Sequence, residues 1–141
     1  MKATNLSALK IVLVIFGAFA IFTGIDFGFG EFKTLGWQGS TDFIQIGDQT
    51  RYGGQDSNFR FFGGVLAAIG GFIIFAVTNL QKYQQTLKVI FALIVVGGLM
   101  RFTSGDFAVL FGADIRVALL VELGVMPLLY FWLGRALKTA G

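Results

Sequence analysis

Four long apolar stretches constrain this chain more than any other feature of its sequence. They cover about residues 9–25, 59–80, 87–102 and 115–133. Each is close to the roughly 20 residues that an α-helix needs to cross a hydrocarbon core of about 30 Å. Since 55% of the residues are hydrophobic and only 13% are charged, too few polar residues remain to cover four such helices in water. The sequence therefore predicts an all-α, membrane-spanning four-helix bundle that forms a single domain over residues 1–141, with the first stretch retained as an anchor and not cleaved as a signal peptide.

The distribution of basic residues predicts the orientation of this bundle. The first loop, 26–58, carries five carboxylates against Lys33 and Arg51. The short flanks on the other side of the helices are basic, with Lys2, Lys10, Lys82, Lys88, Arg135 and Lys138. By the positive-inside rule, both termini and the turn between the second and third helices lie in the cytoplasm. We expect a multi-pass protein of a bacterial inner (cytoplasmic) membrane.

The residue types that the chain lacks exclude several kinds of site. It has no His and no Cys, so the commonest metal ligand, the usual general base and thiolate chemistry are missing. The net charge of +3 is small and scattered, whereas nucleic-acid binding needs a basic face. We therefore expect no metal, no cofactor, no catalytic residue and no nucleic-acid partner, and an enzyme is the least favoured interpretation.

Small residues on the second and third helices predict close helix packing, as glycine faces do in membranes. The predicted packing glycines are Gly63, Gly64, Gly71, Gly97 and Gly98. Packing without any further function is the simpler interpretation for them. In the last helix, Pro127 predicts a kink about one turn after Glu122.

Glu122 is the residue that most requires an explanation. It lies about eight residues into the fourth helix, roughly 10–12 Å below the outer boundary. An unpaired charge at such a depth costs about 2.5–3.5 kcal/mol on insertion scales. Arg101, near the outer end of the third helix, is the first choice of partner and Arg60 the second. We expect these three residues to form a polar cluster that opens to the non-cytoplasmic side.

This cluster has two interpretations that the sequence leaves open. It is either an ion pair that fixes the helix register or a ligand site. Two arginines around one carboxylate leave spare donors, which favours an anionic ligand such as a lipid phosphate or a fatty-acid carboxylate.

The outer loop, 26–58, is long for a simple connection and is rich in glycine and aromatic residues. It is interpreted either as a cap at the level of the lipid headgroups or as a lid over a cavity in the bundle. Ser57 or Asn58 is expected to cap the start of the second helix.

Three short motifs occur in order along the second half of the chain. They are Arg60 followed by Gly63-Gly64, Gly97-Gly98 leading to Arg101-Phe102, and Val121-Glu122-Leu123. In their order and spacing, from about Asn58 to Leu133, the chain resembles a bacterial membrane family called "domain of unknown function 4345". The resemblance implies a four-helix inner-membrane protein without an assigned activity, and it singles out Arg60, Arg101 and Glu122.

Three classes of function follow from these features. The favoured one is a protein that binds a lipid-like or anionic small molecule, or an accessory subunit of a larger membrane complex. The alternative is a small oligomeric transporter or proton pathway that uses Glu122. A membrane enzyme acting on lipids or quinones is less favoured. The expected partners are membrane lipids and either a larger complex or further copies of the chain.

Overall fold

The computed structural model describes residues 2–37, 45–113 and 115–138, with side chains from Asn5 onward. Within these ranges, every element of regular secondary structure is helical. The α-helices are α1 (Lys2–Phe29), α2 (Gln49–Ala76), α3 (Leu80–Met100), α4 (Phe107–Leu110), α5 (Arg116–Leu120) and α6 (Met126–Lys138). Short 3-10 turns cover Phe32–Thr34, Val77–Asn79 and Arg101–Ser104, and a π-helical turn covers Val121–Val125.

Three helical stretches are long and apolar enough to cross a membrane. They are Asn5–Phe29, Gln49–Ser104 and Arg116–Lys138. The second of them contains two long helices, because at Asn79 the backbone leaves the helical region, with φ −149° and ψ 76°. The Asn79 side chain then accepts a hydrogen bond from Lys82 N and so caps α3. The all-helical fold and the four long helical segments are confirmed.

The predicted bounds of the first two helices and of the loop between them are wrong. Helix α1 continues to Phe29, and α2 begins at Gln49, so the loop does not run from 26 to 58. Asp48 caps α2, since its carboxylate accepts hydrogen bonds from Thr50 N and Arg51 N, whereas Ser57 and Asn58 lie inside the helix. The hydropathy pattern marked only the apolar part of α2 and missed its polar first ten residues.

The chain forms two compact units, residues 11–77 and residues 1–10 with 78–141. In the first unit, α1 and α2 approach each other closely enough to bring backbone against backbone. An ideal Cβ at Gly17 would be 2.8 Å from Gly70 O, and one at Gly63 would be 2.6 Å from Gly28 N. Gly24 likewise has Gly63 O within 2.5 Å of its ideal Cβ. These glycines permit the contact because they carry no side chain.

In the second unit, α3 packs along α6. Leu87 and Phe91 of α3 and Met126 and Leu133 of α6 have no exposed surface. Burial of each of these side chains contributes on the order of 1.5–3 kcal/mol relative to an exposed position in water. This apolar seam positions the end of α3 beside the π-helical turn that precedes α6.

The structure separates the five predicted packing glycines into two groups. Gly63 contacts α1, and Gly98 contacts Glu122 and Leu123. At Gly64, Gly71 and Gly97, an added Cβ would meet none of the described residues within 4 Å, so these three glycines show no packing contact there. The reason is helical rotation: consecutive residues point about 100° apart, so only one glycine of each neighbouring pair faces the contact.

This difference predicts that substitutions at two adjacent glycines change the stability of the protein by different amounts. Gly63→Val should lower the stability of the protein in detergent by about 2 kcal/mol or more, because the new side chain would overlap the backbone of α1. Gly64→Val, with open space at its Cβ, should change the stability by less than about 1 kcal/mol. Thermal unfolding of both variants measures the difference, and equal losses would contradict the close α1–α2 contact.

Candidate functional site

Glu122 lies in a turn that is wider than an α-helix. Between Val121 and Val125 the chain is π-helical, and Met126 N donates to Val121 O, five residues earlier. Pro127 follows directly and has no N–H to donate to the carbonyl of Leu123, so an α-helical hydrogen bond is already missing here. A widened turn therefore costs less at this place than elsewhere in the helix. Single π-helical turns of this kind are frequent at functional sites.

The carboxylate of Glu122 binds the guanidinium of Arg101 through two hydrogen bonds. Arg101 Nε donates to Oε2 at 2.7 Å, and Nη2 donates to Oε1 at 2.8 Å. The side chains are 36% and 17% exposed, respectively. Two parallel charge-assisted bonds fix the relative orientation of both groups. The ion pair that the sequence predicted as first choice is present.

Gly98 makes the room that this ion pair needs. It lies three residues before Arg101 on α3, and its ideal Cβ would be 2.8 Å from Glu122 Cβ and 3.2 Å from Oε2. Any side chain at this position would displace the carboxylate from Arg101. The Gly98-Arg101 spacing in the sequence thus has a direct structural reason.

One edge of the Arg101 guanidinium remains open. Within the described part of the chain, Nη1 has no hydrogen-bond acceptor. The neighbouring position Gly97 has open space where a side chain would be. Close by in sequence, the ring of Phe102 contacts that of Phe107 in α4, with centroids 6.4 Å apart. Arg101 Nη1 is therefore a hydrogen-bond donor that the described residues leave without an acceptor.

Arg60 belongs to a different ion pair from the one that the sequence assigned to it. Its Nε donates to Asp56 Oδ2 at 2.6 Å, and its Nη1 donates to the carbonyl of Gly28 at 3.2 Å. Arg60 thus takes Asp56 as its carboxylate, and the expected grouping of Arg60 with Arg101 and Glu122 stays a prediction. The missed signal was the i, i+4 spacing of Asp56 and Arg60, which places both on one face of α2.

Two carboxylates hold the segment that follows α1. Asp56 Oδ1 accepts from Phe32 N at 2.8 Å, and Asp26, only 2% exposed, accepts from Trp37 N at 2.5 Å. Gly36 has a left-handed φ of 75°, and the Asp26 carboxylate would lie 2.7–2.8 Å from an added Cβ there. Residues 31–37 therefore form a fixed turn on the ends of α1 and α2. Residues 38–44, the next part of the predicted cap or lid, lie outside the described residues.

In the described ranges, no three or more His, Cys, Asp or Glu residues come together in a group that could hold a metal ion. The acidic side chains at both sites are instead paired with arginines.

Comparison with known protein families finds one whose model matches residues 8–133, described as a domain of unknown function (DUF4345). The chain belongs to the DUF4345 family. The match extends through all four long helical segments, beyond the range of about 58–133 on which the sequence resemblance rested. No curated protein and no solved structure matches the chain. Arg60, Arg101 and Glu122 of this DUF4345 protein all lie inside the matched range.

A double-mutant cycle tests the Arg101–Glu122 pair in this DUF4345 protein. Arg101→Gln or Glu122→Gln alone should lower the stability in detergent by roughly 1–3 kcal/mol, because each leaves a half-buried charge without its partner. The double variant should lose less than the sum of the two. Thermal unfolding provides the three values, and strictly additive losses would contradict the pairing.

Proposed function

We propose that this DUF4345 protein is a multi-pass protein of a bacterial inner membrane, with four membrane-spanning helices and both termini in the cytoplasm. Three helical stretches with spanning length support this, the longest containing both α2 and α3. The basic flanks support the orientation by the positive-inside rule.

Contacts within the second unit support placing both termini on the same side of the membrane. Trp132 Nε1, in α6, donates to Asn5 Oδ1, in α1, at 2.6 Å. Leu6 of α1, Leu137 of α6 and the turn before α3 line one cavity. The two ends of the chain and the turn at 78–81 therefore belong to the same end of this unit.

Single cysteines can test the orientation cleanly, because the natural chain has none. Gly47 and Gln81 are exposed and flank α2, whose 28 residues measure roughly 42 Å in length. In intact cells with a permeabilised outer membrane, a membrane-impermeant maleimide should label Gly47→Cys, and it should label Gln81→Cys only after lysis. Labelling of Gln81→Cys before lysis would overturn the orientation.

We further propose that the protein binds a lipid-like molecule with a polar or anionic headgroup at Arg101 and Glu122. The observation that carries this proposal is the open edge of Arg101, whose side chain is 36% exposed although two of its nitrogens are bound to Glu122. A headgroup oxygen can accept from Nη1 while the ion pair stays intact. The open surface at Gly97 leaves room for an attached chain.

Native mass spectrometry of the gently extracted protein tests this binding. The wild-type protein should retain a bound lipid-like mass, and the double variant Arg101→Gln/Glu122→Gln should lose it, because the donors and their orientation are gone. Arg116→Gln is the matched control, since Arg116 is an exposed arginine at the start of α5 whose side chain makes no hydrogen bond or ion pair with the described residues. Equal retention of the bound mass in all three proteins would contradict the site.

An accessory role in a larger membrane complex is the second candidate. Gly64 and Gly71 present open space on α2, where a helix of another protein can approach closely. The same spectra would report such a partner as an additional protein mass. A proton pathway through Glu122 has less support, because both carboxylate oxygens are already bound by Arg101.

A further inference from the structure

A cavity of about 320 Å³ lies in the second unit, where the start of α1, the turn before α3 and the end of α6 meet. Its polar lining consists of Lys10, Thr78, Asn79 and Gln81, and leucines complete the wall. Among the described residues, no carboxylate belongs to the lining. Three segments that are far apart in the sequence therefore direct polar groups into one small space.

Lys10 gives this cavity its charge. The residue is half-buried, and in the described ranges no carboxylate lies within ion-pair distance of its ammonium group. A cation that is partly removed from water without a counter-ion costs free energy, which a bound anion would recover. Lys10 lies 19 residues before the end of α1 at Phe29, or roughly 28 Å of helix, close to the hydrocarbon thickness of about 30 Å. In the proposed membrane setting, with Phe29 at one boundary, Lys10 would lie near the level of the lipid phosphates on the other side.

The other polar groups of the cavity are suited to donate hydrogen bonds. Asn79 Oδ1 already accepts from Lys82 N, which leaves the amide hydrogens of Asn79 as its available donors. The amide of Gln81 can donate as well. A lining with one ammonium, several donors and no carboxylate selects a ligand that is anionic and rich in acceptors.

We propose that this cavity binds a phosphate ester group, supplied by an anionic phospholipid of the surrounding leaflet. Ligand pockets usually measure about 300–1,000 Å³, so a volume of 320 Å³ suits a headgroup and not a whole lipid. Leu6 and Leu137 provide the apolar side along which the acyl chains leave. This site does not include Arg101 or Glu122, so it can be confirmed or refuted separately from the proposed function.

The test is ligand-induced thermal stabilisation of the detergent-solubilised, full-length protein. Dihexanoyl phosphatidylglycerol should raise the unfolding temperature of the wild-type protein in a concentration-dependent way. Lys10→Gln should weaken the apparent affinity by about tenfold or more, because it removes the one charge found among the described residues of the lining. Lys10→Arg should restore most of the binding. Lys82→Gln is the control, because Lys82 is an exposed lysine of the same end that does not line the cavity.

Two further probes distinguish the source and the nature of the ligand. Stabilisation by inorganic phosphate that equals the lipid effect and is lost in Lys10→Gln would support the site and assign it to soluble phosphate. Dihexanoyl phosphatidylcholine has a phosphate but no net charge and should bind more weakly. Equal stabilisation by both lipids, or an undiminished lipid effect in Lys10→Gln, would overturn the proposal.

Discussion

The bidentate ion pair between Arg101 and Glu122 is the interaction on which the arrangement of this protein's second unit depends. In the proposed membrane setting, a lone carboxylate at the depth of Glu122 costs several kcal/mol, and the guanidinium offsets this cost only with good geometry. Three local features supply that geometry. Arg101 ends α3, Gly98 leaves space for the carboxylate, and the π-helical turn at 121–125 presents Glu122 to α3.

The helices of the first unit are held together by a different kind of contact. There, α1 and α2 come together through glycines, and the charged groups are found at the ends of the helices. Asp26 and Asp56 accept backbone N–H groups of the following turn, while Arg60 compensates the charge of Asp56. Buried backbone donors need acceptors wherever the helix ends, and the two carboxylates provide them. Arg60 therefore has a structural task that is independent of Glu122.

The sequence could predict those features that depend on one helix or on the cost of a charge. The four apolar stretches and the pairing of Arg101 with Glu122 are of this kind. Features that depend on the rotation of a helix were harder to predict from the sequence. Gly63 and Gly64 are the same residue type at adjacent positions, and only the position of α1 decides which of them contacts that helix. The polar start of α2 was missed because hydropathy does not register a capped helix outside hydrocarbon, although Asp48 marks its beginning. The π-helical turn has a sequence cue in Pro127, but proline alone does not specify whether the helix kinks or widens.

The hydrogen bonds of its charged groups are the basis on which we propose recognition rather than proton transfer for this DUF4345 protein. A proton carrier must gain and lose its proton in turn, whereas both oxygens of the Glu122 carboxylate already accept hydrogen bonds from Arg101. The pair is formally neutral, so it gives no strong attraction for a free anion. Its open donors instead favour an amphipathic molecule whose apolar part contributes most of the binding, while the headgroup fixes the orientation. Lys10 differs from this pair: it lines a small polar cavity of the same unit, and no carboxylate of the described residues lies beside it. The unit thus offers one oriented, neutral contact and one charged contact, and the two proposed binding sites rest on this difference.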